Sequence, residues 1–119
     1  MVADQGTDFL RILAEEEMKA LSVGEETLDL HLRTAKIPFQ REAAVIPGRK
    51  FRFDFELNDR ILIEIQGGTW NNGGHVRGKQ FQSDCDKFNA ATKAGYRCLK
   101  FTTEDVTSGK ALQFIEGMI

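Results

Sequence analysis

The chain is 119 residues long, 41% hydrophobic and 29% charged, the balance of a soluble globular protein with one core of ordinary size and no composition shift marking a second domain. No stretch reaches the roughly 20 apolar residues of a membrane span and no basic start runs into an apolar leader, so one cytoplasmic domain over 1–119 is expected, with no membrane partner. A net charge of −2 argues against a nucleic-acid partner until its distribution is read, because residues 31–100 hold thirteen bases and seven acids while residues 1–30 hold eight acids and two bases.

The first predicted helix lies near 8–21. It is punctuated by Glu15-Glu16-Glu17, yet Phe9, Ile12, Leu13, Ala20 and Leu21 can form one stripe, which suggests packing against the body or against a partner subunit. Ser22-Val23-Gly24-Glu25 predicts the opening of a second helix near 23–36, with Leu28, Leu32 and Ala35 at helical spacing. Ser22 and Glu25 have the spacing of a capping box, in which the glutamate bonds the cap residue's backbone N–H and need do nothing else.

Strands are predicted near 39–46, 51–57 and 61–66. In the second, Phe51, Phe53 and Phe55 share one face and Arg52, Asp54 and Glu56 the other; in the third, Ile61, Ile63 and Ile65 oppose Leu62, Glu64 and Gln66. Pairing 54 with 64 sets Phe53 against Ile65 and Phe55 against Ile63. That register needs an odd connection, most simply the three-residue loop Asn58-Asp59-Arg60. The two carboxylates then stand with Cβ atoms roughly 5 Å apart. Two readings stay open here: a solvated face on which the acids pair with Arg52 or Arg41, or a site in which a hard divalent cation lies between them.

The glycine-rich stretch Gly67-Gly68-Thr69-Trp70-Asn71-Asn72-Gly73-Gly74-His75-Val76-Arg77-Gly78 follows, permissive in backbone and starting just after Glu64. Trp70 either covers the core edge or stacks on a base, and His75 is either a solvated loop residue or a proton donor to a leaving oxygen. A helix near 78–94 should turn Phe81, Cys85 and Phe88 to the sheet. A strand near 96–101 and a helix near 103–117 complete an α/β or α+β order. Cys85 and Cys98 lack metal or redox spacing, so buried reduced thiols are expected.

Taken in order, these pieces resemble the PD-(D/E)XK, or restriction-endonuclease-like, superfamily, and within it the small Vsr-like and VRR-NUC-like nucleases. The match runs from about residue 22 to 106: Glu25 with Leu28 and Leu32, the basic strand Phe39-Gln40-Arg41-Glu42, Arg52-Phe53-Asp54-Phe55, Glu64-Ile65-Gln66-Gly67, Asp84 with Lys87, and Gly95-Tyr96-Arg97-Cys98-Leu99-Lys100-Phe101. The resemblance implies a mixed central sheet of about four strands flanked by helices, and an Mg²⁺-dependent (or Mn²⁺-dependent) endonuclease of DNA repair or recombination type. It implies metal ligation by Asp54, Glu64 and the Ile65 carbonyl, with Glu25 as a further or water-mediated ligand. Gln66 stands where the superfamily has a lysine, so the nucleophile would be positioned by Gln66, or by Lys79 or Lys87. Arg41, Arg49, Lys50, Arg52, His75, Arg77 and Lys79 are the candidate DNA contacts, although a charge run is more often a solvated face. A catalytically inactive DNA-binding module is the alternative, and two-strand cleavage would require a homodimer.

Overall fold

The computed structural model describes residues 5–66 and 74–119, with side chains from residue 9 onward except at 14, 16–22 and 74–77. A single helix, α1, spans Gln5–Thr34, where two were expected. Gly24 costs an interior helix only about 1 kcal/mol relative to alanine, and close packing offsets that cost. A Cβ at Gly24 would lie 2.9 Å from Ile65 Cγ2 and 3.0 Å from Thr103 Oγ1. Position 22 is therefore a helix interior rather than a cap, and Glu25 is left for other partners. Phe9, Leu10, Ile12 and Leu13 near the start of α1 are exposed, so these four side chains do not cover the sheet.

Four strands follow the helix: β1 (Phe39–Ala43), β2 (Phe53–Leu57), β3 (Ile61–Gln66) and β4 (Arg97–Thr102). They lie in the order β1-β2-β3-β4. The first two pairings are antiparallel and β3-β4 is parallel, a connection that requires a crossover. Helix α2 (Gly74–Lys93) supplies it. The short helices α3 (Thr103–Thr107) and α4 (Lys110–Glu116) close the chain. One continuous helix over 103–117 was expected, but the chain turns at Gly109, whose φ of 87° is left-handed. Thr102 and Asp105 form the capping box that starts α3.

The sheet is covered on both faces. Leu28 and Leu32 of α1 pack with Phe55, Leu57, Ile61, Ile63, Ile65, Phe101, Val106, Ala111 and Ile115. On the other side Phe53 and Leu62 pack with Ala91 of α2, joined by Phe51, Phe88, Tyr96 and Cys98. Phe88 thus faces the sheet as its spacing suggested, whereas Phe81 does not: its side chain is 70% exposed.

The β2-β3 hairpin has the anticipated register, with Phe55 opposite Ile63, Glu56 opposite Leu62 and Leu57 opposite Ile61. The three-residue loop makes its turn through Asp59 (φ 64°) and Arg60 (φ 61°). Arg60 also binds the C-terminal end of α2, donating to the carbonyls of Gly95 (3.1 Å) and Ala94 and lying over Tyr96. The alternation of faces fails in one place, because Phe53 and Phe55 belong to opposite sides of the sheet. Both β1 and β2 are also shorter than expected; β1 ends at Ala43, one residue after Glu42 adopts a φ of 52°. Among the described residues no helix is long and apolar enough to cross a membrane.

Candidate active site

The failure of alternation at Phe53 and the position of the acids have one cause. Beyond the Phe55–Ile63 pair the backbone ladder is replaced by side chains: the Asp54 N–H donates to Glu64 Oε1 at 3.0 Å, and the Ile65 N–H donates to Asp54 Oδ2 at 2.8 Å. Each acid thus satisfies a main-chain donor on the neighbouring strand. Freed from backbone pairing, β2 rotates and sends Phe53 to the α2 side. There the Phe53 ring meets Phe88 edge-on at 5.8 Å, and the Lys87 ammonium lies 4.5 Å from its centroid.

Lys87 is the lysine of α2 that reaches an acid of the hairpin. Its Nζ lies 3.0 Å from Glu64 Oε2, with both side chains largely buried. Lys79 sits eight residues earlier on α2, roughly 12 Å away along the helix axis, and is exposed. Gln66 is exposed at the end of β3. The positive charge at Glu64 therefore comes from α2, through Lys87, and not from β3.

Asp54 faces a second group of carboxylates as well. One oxygen each from Glu25, Glu42 and Asp54 lie within 4.8 Å of one another. Glu25 arrives from α1. Glu42 arrives from β1, where it falls opposite Asp54 between the pairs Arg41–Phe55 and Ala43–Phe53, and its left-handed φ marks where the chain leaves the strand. The sequence reading missed Glu42; its signal was an acid beside the basic strand, usable only once the β1-β2 register is known.

Electrostatics follow from this crowding. Burial, then the charge of Asp54, raises the Glu25 pKa from 4.5 to about 7, with Arg41 pulling the other way. Burial and Asp54 also hold Glu64 above the ordinary carboxylate range, against the opposing Lys87. Carboxylates so placed keep a proton or take up a cation. Three converging hard oxygens suit a divalent ion, so the donor set fits the metal that the sequence reading implied. Glu25, Asp54 and Glu42 converge, while Glu64 adjoins Asp54 and is held by Lys87. Ile65 meets Asp54 through its N–H.

Arg41 is engaged within the fold. It donates to Glu25 at 3.1 Å and Asp29 at 2.9 Å, more weakly to Glu26 at 3.4 Å, and its guanidinium lies 4.8 Å from the centroid of Phe55. Arg49, Lys50 and Arg52 are exposed in the segment before β2, and Arg49 stacks over Phe51 at 4.4 Å. Trp70 and the side chains of His75 and Arg77 lie outside the described residues.

No protein-family model matches the chain, and comparison with curated proteins gives no match either. Among solved structures the chain is similar to the catalytic domain of the homing endonuclease I-Bth0305I, at 20% identity and a TM-score of 0.55, over 78% of this chain and 89% of that one. At that identity the likeness concerns architecture. A mixed four-stranded sheet flanked by helices is a nuclease-like core, and the acids gather around its central strands β2 and β3.

Proposed function

We propose that this protein is a metal-dependent endodeoxyribonuclease of the PD-(D/E)XK type, resembling the small Vsr-like and VRR-NUC-like nucleases. The carrying observation is the convergence of Glu25, Glu42 and Asp54, next to the Glu64–Lys87 pair, on a nuclease-like fold. Asp54, Glu25 and Glu42 hold a divalent cation, Mg²⁺ or Mn²⁺, with Glu64 and the Ile65 carbonyl completing the set. A cation bound there supplies Lewis-acid stabilisation of charge on the phosphate.

The chain's own residues do the remaining work. The Ile65 N–H fixes Asp54, and Arg41 fixes Glu25. We therefore assign Arg41 to positioning rather than to DNA. Lys87 holds Glu64 and supplies the cationic N–H that Gln66 lacks, orienting the attacking water or sharing its proton. Arg49, Lys50, Arg52, Lys79 and Arg77 flank the backbone of the DNA, and His75 is a candidate donor to the leaving oxygen. The convergence of three carboxylates, which repel one another unless a cation or proton lies among them, favours an active enzyme over a DNA-binding module that has lost catalysis. A single site cuts one strand, so nicking is the product expected of one copy and two-strand cleavage that of a homodimer. The reading places the protein in the cytoplasm.

The decisive variants are Asp54→Asn and Glu64→Gln, since each keeps a carbonyl acceptor for the main-chain N–H it now satisfies while exchanging the charged second oxygen for a neutral NH2. Each is expected to lower Mg²⁺- or Mn²⁺-dependent nicking of supercoiled plasmid at least about a hundredfold while leaving the circular dichroism spectrum unchanged. Nicking at the native rate by either variant refutes the assignment.

A further inference from the structure

On the α2 side of the sheet a cavity of about 400 Å³ is lined by Gln66, Phe81, Asp84, Phe88, Asn89 and Lys100, among others. It neighbours the acids in register and along the chain. Lys100 is the β4 register partner of Glu64, Phe88 follows Lys87 along α2, and Gln66 lies two residues beyond Glu64 on β3. The volume falls within the roughly 300–1,000 Å³ of small-molecule sites.

The lining has a definite chemistry. Phe81 and Phe88 lie seven residues apart on one face of α2, two helical turns. Phe88 is fixed by its edge contact with Phe53 and by the Lys100 ammonium 4.1 Å from its centroid. Phe81 has no such cover; at 70% exposure it is among the most exposed large apolar side chains of the described residues. The same lining carries the amides of Gln66 and Asn89, donors and acceptors both, and the carboxylate of Asp84, which accepts from Gln80 Nε2 at 3.2 Å. A flat ring with apolar faces and a hydrogen-bonding edge matches such a wall. A phosphate does not, because Asp84 opposes it.

We infer that this cavity receives a nucleobase of the strand being cut, stacked on Phe81 and read at its edge by Gln66 and Asn89. Resting on the nuclease reading above, the inference narrows the substrate to DNA with an unpaired or readily extruded base beside the scissile phosphate. Extruding a base from intact duplex costs a few kcal/mol, and least where it is already unpaired. Lys100, between the cavity and Glu64, then neutralises the intervening phosphate.

The test uses a duplex carrying one unpaired 2-aminopurine and a matched duplex of the same sequence. Without metal, the full-length protein is expected to quench the 2-aminopurine fluorescence; Phe81→Ala, at an exposed position that the core does not need, is expected to lose that quenching, and Phe81→Tyr to retain it. With Mg²⁺ or Mn²⁺, the wild type should prefer the bulged over the matched duplex, and Phe81→Ala should reduce that preference by roughly five- to 150-fold, the range supplied by one base–aromatic stack. Equal quenching by wild type and Phe81→Ala, or an unchanged cleavage preference, overturns the base site and leaves the nuclease assignment standing. Quenching that depends on Phe81, with no DNA cut under either metal, sustains the base site and removes the nuclease assignment.

Discussion

Replacing Lys87 by Met removes the cation but keeps most of an unbranched apolar stem, so it isolates what the charge does. Lys87 and Glu64 are 3.0 Å apart with side chains only 13% and 15% exposed. Deleting one partner of a buried pair costs roughly 3–5 kcal/mol. The residual exposure sets this case near the lower end, at about 3 kcal/mol, within which the contact with Phe53 contributes about 0.5–1 kcal/mol. Against a typical domain stability of roughly 5–15 kcal/mol, the variant should still fold. The loss also carries a pH signature. Glu64 is already held above its ordinary value of 4.5 by burial and by Asp54, and losing Lys87 drives it further up. A carboxylate raised in the folded state adds stability below its unfolded pKa and loses it as pH rises through the folded one. Urea unfolding followed by circular dichroism should therefore show the full loss at pH 8, shrinking as the pH is lowered toward 4.5. Adding Glu64→Gln to Lys87→Met should recover part of the stability at pH 8, since the unpaired charge is then gone. A loss below about 1 kcal/mol at pH 8, a loss independent of pH, or a double variant less stable than Lys87→Met would refute the argument.

Glu25, raised from 4.5 to about 7, should make the metal-free protein lose stability as pH climbs across that interval, and Glu25→Gln should flatten the profile; parallel urea midpoints for the two proteins between pH 4.5 and 8 would contradict this. Gly24→Ala improves helix propensity by about 1 kcal/mol but drives a Cβ to 2.9 Å from Ile65 and 3.0 Å from Thr103, so overpacking of about 1–3 kcal/mol should win. The expected result is a midpoint lowered by about 4 °C in a thermal melt, and a raised midpoint would show that α1 is free to shift.

How far the sequence determines this site depends on the range of each interaction. The hairpin was legible because strand parity and a three-residue loop are local, and together they set the register from Leu57–Ile61 to Phe55–Ile63, which brings Asp54 beside Glu64. The same parity misplaced Phe53, since it cannot foresee a ladder whose rungs are carboxylates. Glu42 was hidden because its approach to Asp54 depends on the β1-β2 register across the long connection 44–52 and on one left-handed residue. Lys87 was visible only as one of three candidates, with Gln66 and Lys79, and it is the crossover of α2 over the sheet that sets it against Glu64. The capping-box reading of Glu25 fitted the local pattern and lost to tertiary packing, in which Gly24 lets α1 run unbroken past Ile65 and Thr103.

The exchange of side-chain for backbone partners at Asp54 and Glu64 ties the chemistry of this protein to the continuity of its sheet. If the chain is the nuclease proposed, one that stopped cutting DNA would not be free to discard these two acids, because alanine at either position strands a main-chain donor toward the open end of the hairpin. The amides are the least disruptive exits, since they retain the shape and one acceptor, although Gln at position 64 leaves the buried Lys87 without its counter-charge. In this fold, a loss of activity would be written as Asn and Gln before it was written as anything smaller.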